Sequence, residues 1–149
     1  MGVFPTKILV AIDGSEEARL ATQAATELSR DTGSELHVLY VLPTPAQLIG
    51  HHLYPKETQE AVVAEAEGRA REFLEEQSQR IGSEGGKVSE THFRSGEPDK
   101  EILRAAEEIE AGTIVVGRRG LGAISRTLLG SVSDSVVRHA HCPVCVVRS

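Results

Sequence analysis

After the apolar run 114-IVVG-117 the chain continues RRGLGAISRTLLGSVSDS, so that Gly117, Gly120, Gly130 and Ser131 share one stretch with Arg118, Arg119 and Arg126. Glycine has no Cβ to hold a ligand away from the main chain, and it reaches dihedrals that other residues resist. If a helix begins at Ser131, its first turn offers unpaired N–H groups and roughly half a positive charge to an anion. The Ser131 hydroxyl can donate to a phosphate oxygen, and the arginines supply positive charge in an acidic chain. The chemistry these types can do together is to hold phosphate. Asp13, which follows the apolar run 7-KILVAI-12, is placed to accept from ribose hydroxyls, and the pair of features points to a nucleotide. A second role for Asp13 stays open: a capping carboxylate that accepts from the Ser15 or Glu16 amide.

Better-known phosphate motifs do not fit. No G-x-x-x-x-G-K-[ST] occurs, and Gly120-Leu121-Gly122-Ala123-Ile124-Ser125 lacks the third glycine of the dinucleotide fingerprint and follows the fourth strand rather than the first. An ordinary strand-to-helix loop is the plain alternative. Loops of about 13 residues are uncommon in compact domains unless they serve a ligand.

The string 139-HAHCPVC-145 imitates a zinc or redox centre. In an extended chain, residues three apart point to opposite faces, so Cys142 and Cys145 cannot converge on one ion; small buried thiols packed in a sheet are expected instead. His51 and His52, with no third ligand in view, read as solvated loop histidines. No Ser-His-Asp set, carboxylate pair or cysteine nucleophile stands at a recognisable spacing, so binding is expected rather than catalysis.

These residues need elements to position them. The run 7-KILVAI-12 predicts a strand covered on both faces, ended by 13-DGS-15. A helix follows, with Ser15 as N-cap, Glu16 and Glu17 at its positive end, Ala18, Ala21, Ala25 and Leu28 on its buried stripe and Gly33 at its close. The second strand is 36-LHVLYV-41, and the three prolines of 42-LPTPAQLIGHHLYP-55 predict an irregular loop. Helical spacing returns over 57–81, where Val63, Ala70, Leu74 and Ile81 are buried candidates. The weakly alternating 87-KVSETHF-93 reads as an edge strand. Pro98 opens a helix with Ile102, Ala106 and Ile109 inward and Gly112 as its stop. A strand at 113–117, a helix over 131–140 and a strand at 143–147 complete five alternations. That order predicts a parallel sheet with right-handed crossovers. In such a sheet the ligand crevice lies beyond the carboxyl ends of the strands where their order reverses; for the order 3-2-1-4-5, Asp13 and Gly117 flank it.

Composition narrows the function classes. The chain has 149 residues, 40% hydrophobic and 26% charged, as a single soluble globular domain would. No apolar run approaches the roughly 20 residues of a membrane span, and the N-terminus lacks a signal-peptide layout, so a cytoplasmic protein without a membrane partner is expected. A net charge of −6 argues against a general nucleic-acid partner.

The segments 8-ILVAIDGS-15, 36-LHVLYVLP-43 and 114-IVVGRRGLGAISRTLLGSVSDSVVRHAHCPVCVV-147 resemble the universal stress protein family over essentially the whole chain. Gly117, Gly120, Gly130 and Ser131 match G-x2-G-x9-G-[ST], the spacing that marks the family's ATP-binding members. The resemblance implies one domain over residues 1–149, a three-layer α/β/α sandwich of the Rossmann-like, adenine nucleotide alpha hydrolase-like kind, with a five-stranded parallel sheet of order 3-2-1-4-5. It implies that Ala11, Ile12 and Asp13 line the adenosine site and that Val41 offers its backbone to adenine. Gly117, Arg118, Arg119, Gly120, Leu121, Gly122 and Ala123, with Gly130, Ser131, Val132 and Ser133, would hold the phosphates of ATP together with Mg or Mn; direct contact by Arg118 and Arg119 is left open by the motif. It further implies a homodimer paired through 143-PVCVV-147, a nucleotide-dependent regulatory or stress-response role with a protein partner the residues do not name, and at most weak ATPase or autophosphorylation. The alternatives are a structural interaction protein of the same fold and a thiol or metal protein built on Cys142 and Cys145.

Overall fold

In the computed structural model, residues 2–50, 54–118 and 129–149 are described. The elements follow in the order β1 (Lys7–Ile12), α1 (Glu16–Thr32), β2 (Glu35–Leu42), α2 (Pro45–Ile49), α3 (Lys56–Ser83), β3 (Val88–Ser95), α4 (Pro98–Glu108), β4 (Thr113–Gly117), α5 (Ser131–His139) and β5 (Val144–Val147). The five strands form one sheet of order β3-β2-β1-β4-β5, and every neighbouring pair is parallel.

The alternation of side chains along the strands divides the core in two. Ile8, Val10 and Ile12 of β1, with Leu36, Val38 and Val115, face Ala21 and Ala25 of α1 and Leu74 and Ile81 of α3. Leu9, Leu39, Ile114 and Val116 face Ile102, Ala105 and Ala106 of α4 and Val136 of α5. β1 is central and buried on both sides, which explains its unbroken apolar sequence. Each fully buried Leu or Ile contributes about 1.5–3 kcal/mol of transfer free energy, so this double layer fixes the register of the sheet.

The caps are where the sequence placed them for α1: the Ser15 hydroxyl accepts from the Ala18 N–H at 3.1 Å, and Gly33 closes the helix in the left-handed region. Its buried face is small, Ala18, Ala21 and Ala25, so the helix lies close on the sheet. The close approach reaches a limit at Gly117, where a Cβ would lie 2.8 Å from the Glu17 carbonyl carbon.

Two expectations need correction. The segment after β2 is not wholly irregular: Thr44 caps a five-residue helix, with a reciprocal bond from its own N–H to Gln47, and Pro45 occupies the first helical position. Proline at the first helical position lacks only an N–H that would be unpaired there, so Pro45 starts the helix instead of breaking it. The thiols are not both buried either. Cys142 is half-buried against the α4 and α5 side, whereas Cys145 is exposed on the edge strand β5.

Candidate functional site

The crevice is built by the adjacency of β1 and β4, which pair at Ile8–Thr113, Leu9–Ile114 and Val10–Val115. β2 lies on the other side of β1, so the carboxyl ends of these three strands emerge side by side. The order reverses between β1 and β4, because the chain leaves β1 toward β2 and β3 and returns to β4 on the opposite flank.

Asp13 stands at the carboxyl end of β1. One of its carboxylate oxygens accepts from the Ser15 N–H at 2.9 Å, so the capping role weighed above is realised, at the start of α1. Tyr40 of β2 pairs with Ile12 and so stands beside this end of the sheet, where burial first, and then the Asp13 charge, push its phenol above its usual range. Ile12 is buried in the core, so its side chain is not at the crevice; Ala11 is half-buried against the α4 and α5 face. Val41, on β2, is half-buried on that same face.

At the end of β4 the chain is held by three main-chain and side-chain bonds. The Arg118 N–H donates to Val147 O at 2.7 Å, the Gly130 N–H donates to Arg118 O at 2.8 Å, and the Ser133 hydroxyl donates to the same carbonyl. The amino end of α5 is thereby docked against the residue that follows β4. Gly130, the N-cap, has no side chain to occupy the first-turn amides, Ser131 is exposed, and Val132 is half-buried against the core. Ser133 is 3% exposed with its proton directed to Arg118 O, so it positions the helix rather than presenting a donor outward.

The Arg118 guanidinium turns inward to Glu17, at 3.3 Å, with both side chains largely buried. From sequence Glu17 has only a place at the positive end of α1; the structure makes it the counter-charge of Arg118, and the Ser149 hydroxyl donates to the same carboxylate at 3.4 Å. Tyr40 and Glu17 are therefore the residues that sequence reasoning missed. The one available signal was a carboxylate on the stripe adjoining Ala18 and Ala21. Arg119, Gly120, Leu121, Gly122 and Ala123 lie outside the described residues, as do His51 and His52. A surface groove of about 270 Å³ between α1 and the end of α3, lined by Arg19, Thr26, Arg30 and Arg80, belongs to the helical flank and not to this crevice.

This is a doubly wound α/β fold in which the amino end of α5 is docked at the end of β4 and the Asp13 carboxylate stands at the end of β1, the two strands that flank the switch point. A sequence model of the Universal stress protein family matches residues 5–148. The universal stress protein YxiE of Bacillus subtilis is 36% identical over 146 residues, covering 95% of this chain and 98% of its own. The solved universal stress protein UspA from Lactobacillus plantarum superposes with a TM-score of 0.82 at 25% identity, over 96% of this chain and 97% of the other. A universal stress protein from Archaeoglobus fulgidus, solved in complex with dAMP, superposes at 0.64 with 27% identity, over 96% and 98%. The chain belongs to the universal stress protein family. Some of its structural neighbours bind adenine nucleotides.

Proposed function

We propose that this chain is an ATP-binding universal stress protein, a regulatory module of the cytoplasm that works as a homodimer and whose nucleotide occupancy governs its choice of protein partner. The observation that carries the reading is the docking of the α5 amino end on Arg118 O through the Gly130 N–H, beside the end of β1 that bears Asp13. First-turn amides without a side-chain cap among the described residues, at the switch point of a parallel sheet, suit phosphate by charge and by hydrogen-bond direction. In this reading Asp13 accepts from the ribose, the Ala11, Ile12 and Val41 main chain flanks the base, and Gly130, Ser131 and Val132, with the segment 117–123, cradle the phosphates. Mg or Mn would neutralise the phosphate charge that the Glu17–Arg118 pair leaves uncompensated. The complex of dAMP with the Archaeoglobus protein supports the adenine half of the proposal.

The test is a thermal-shift titration with ATP, ADP and AMP, with and without magnesium. A ligand at about 100 times its dissociation constant adds roughly 2.7 kcal/mol to the unfolding free energy, and the melting temperature is expected to rise accordingly. Gly120→Val should abolish the rise. No shift with millimolar ATP would return the chain to the alternative of a structural interaction protein. Phosphate release measured on the same samples, with Gly120→Val as background, decides whether bound ATP is hydrolysed.

A further inference from the structure

A second cluster of chemistry lies away from the crevice, near the start of β2 and on the edge strand β3. His37 is 3% exposed, and its Nδ1 stands 3.0 Å from His92 Nε2. Glu90 Oε2 lies 3.9 Å from His37 Nδ1 and 4.0 Å from His92 Nε2. A point equidistant from these three atoms is about 2.1 Å from each, the length of a Zn–N or Zn–O bond.

The backbone is built to converge them. Leu36 pairs with Val88, but His37 pairs with Glu90, so β3 carries one extra residue, Ser89, at this point. That bulge turns the strand over: Val88 packs on the α1 and α3 side with Leu36, whereas Glu90 and His92 come onto the face of His37 and Leu39. Without the bulge, Ser89 and Thr91 would stand opposite His37 and Leu39, and the two imidazoles would lie on opposite faces.

The hydrogen bonding of the pair, taken alone, does not close. If His37 Nδ1–H donates to His92, His37 Nε2 is a buried lone pair with no donor; if His92 donates, His37 Nε2–H is a buried donor with no acceptor. Among the described residues that nitrogen has no hydrogen-bond partner, and the nearest opposite group is Glu35 Oε1 at 3.8 Å. A cation between His37 Nδ1 and His92 Nε2 resolves both ends. It takes the two lone pairs that face each other, and it leaves a proton on His37 Nε2 directed at the Glu35 carboxylate, the outer-shell partner that metal-bound histidines favour. Arg94, the next cation along β3, is committed to Glu101 and Glu108 and does not fill the triangle.

The geometry points to a zinc-class divalent metal site made by His37, Glu90 and His92, with Glu35 as the acceptor that orients His37. Two imidazoles and one carboxylate select Zn²⁺ over Mg²⁺ or Ca²⁺. Glu90 is 62% exposed, so the fourth position opens to solvent and takes water. Bound metal clamps the edge strand β3 to β2 across the bulge, at the end of β2 opposite Asp13 and independently of any nucleotide.

The experiment is titration of the metal-stripped full chain with Zn²⁺, with Co²⁺ as the visible probe, in the absence of nucleotide. One equivalent is expected per chain, with the absorption of four-coordinate Co²⁺ and a rise in melting temperature. His92→Ala should weaken binding by about 100-fold or more and remove the absorption. Glu90→Gln, an exposed substitution of nearly equal volume, guards against misfolding as the cause and, as the loss of a direct ligand, should weaken it by at least the roughly 10-fold that loss of an outer-shell partner costs. Binding of equal strength in wild type, His92→Ala and Glu90→Gln would overturn the proposal, as would a wild-type chain that takes up no Zn²⁺ at submillimolar concentration.

Discussion

Glu17 and Arg118 lie 101 residues apart, yet they form the charge pair under the crevice. Each removes the desolvation cost of the other, and truncating one buried partner typically costs 3–5 kcal/mol because the remaining charge is left uncompensated. Their approach depends on Gly117, the first glycine of the motif. Gly117 was expected to serve a phosphate, but its immediate constraint is the first turn of α1, since a Cβ there would meet the Glu17 carbonyl carbon at 2.8 Å. Gly117→Ala should therefore destabilise the protein by about 1–3 kcal/mol, a fall of several degrees in melting temperature measured without nucleotide. An alanine variant as stable as wild type would show that α1 is not held there. The two thiols give a second residue-scale test. Burial raises the Cys142 pKa above its ordinary value of 9.0, so less of it is thiolate at a given pH. Iodoacetamide should modify exposed Cys145 first, with Cys142 lagging and continuing to gain rate as the pH passes 9. Equal rates at pH 8, read by peptide mass, would contradict the burial of Cys142.

At the scale of elements, the sheet has two edges of different character. β3 is guarded by its bulge, its charges and the long helix α3, where Arg71 lies 4.1 Å over the Phe93 ring and Tyr40 stacks on Phe93. Among the described residues β5 has no such guard. Ile114 N–H donates to Pro143 O and Arg118 N–H to Val147 O, so residues 143, 145 and 147 are turned to β4 while the N–H groups of Val144 and Val146 point outward. If two chains pair through this edge, Val146→Pro should remove one bond from the interface and none from β4, shifting the sedimentation profile from dimer to monomer with the far-ultraviolet spectrum preserved. A wild-type chain that sediments as monomer at tens of micromolar would rule the pairing out.

For the whole molecule, the division between what sequence and fold decide follows from the range of the interactions. The parallel sheet, the caps of α1 and the edge position of β3 were legible from alternation and capping chemistry, which are local rules, whereas the order 3-2-1-4-5, now seen in the sheet, was implied by the family resemblance. That order is what sets the Asp13 end of β1 beside the Gly117 end of β4, and the structure pairs those strands. No helix among the described residues is long and apolar enough to cross a membrane. The short helix at Pro45 was missed because whether proline breaks or begins a helix depends on the reciprocal bonds between its preceding residue, Thr44, and Gln47, and the exposure of Cys145 because an edge strand shows its outer face only once its neighbours are known.

By itself, then, the order of residues determined the layers, the direction of every strand and the glycine-rich approach to the end of β4. Only the folded chain decided that Glu17 would answer Arg118, that Ser133 would tie α5 to β4 and that a one-residue bulge would bring His37, Glu90 and His92 onto one face. These are contacts between groups 15 to 101 positions apart. Their geometry depends on register and helix approach fixed by the whole core, and no short window of sequence carries that information.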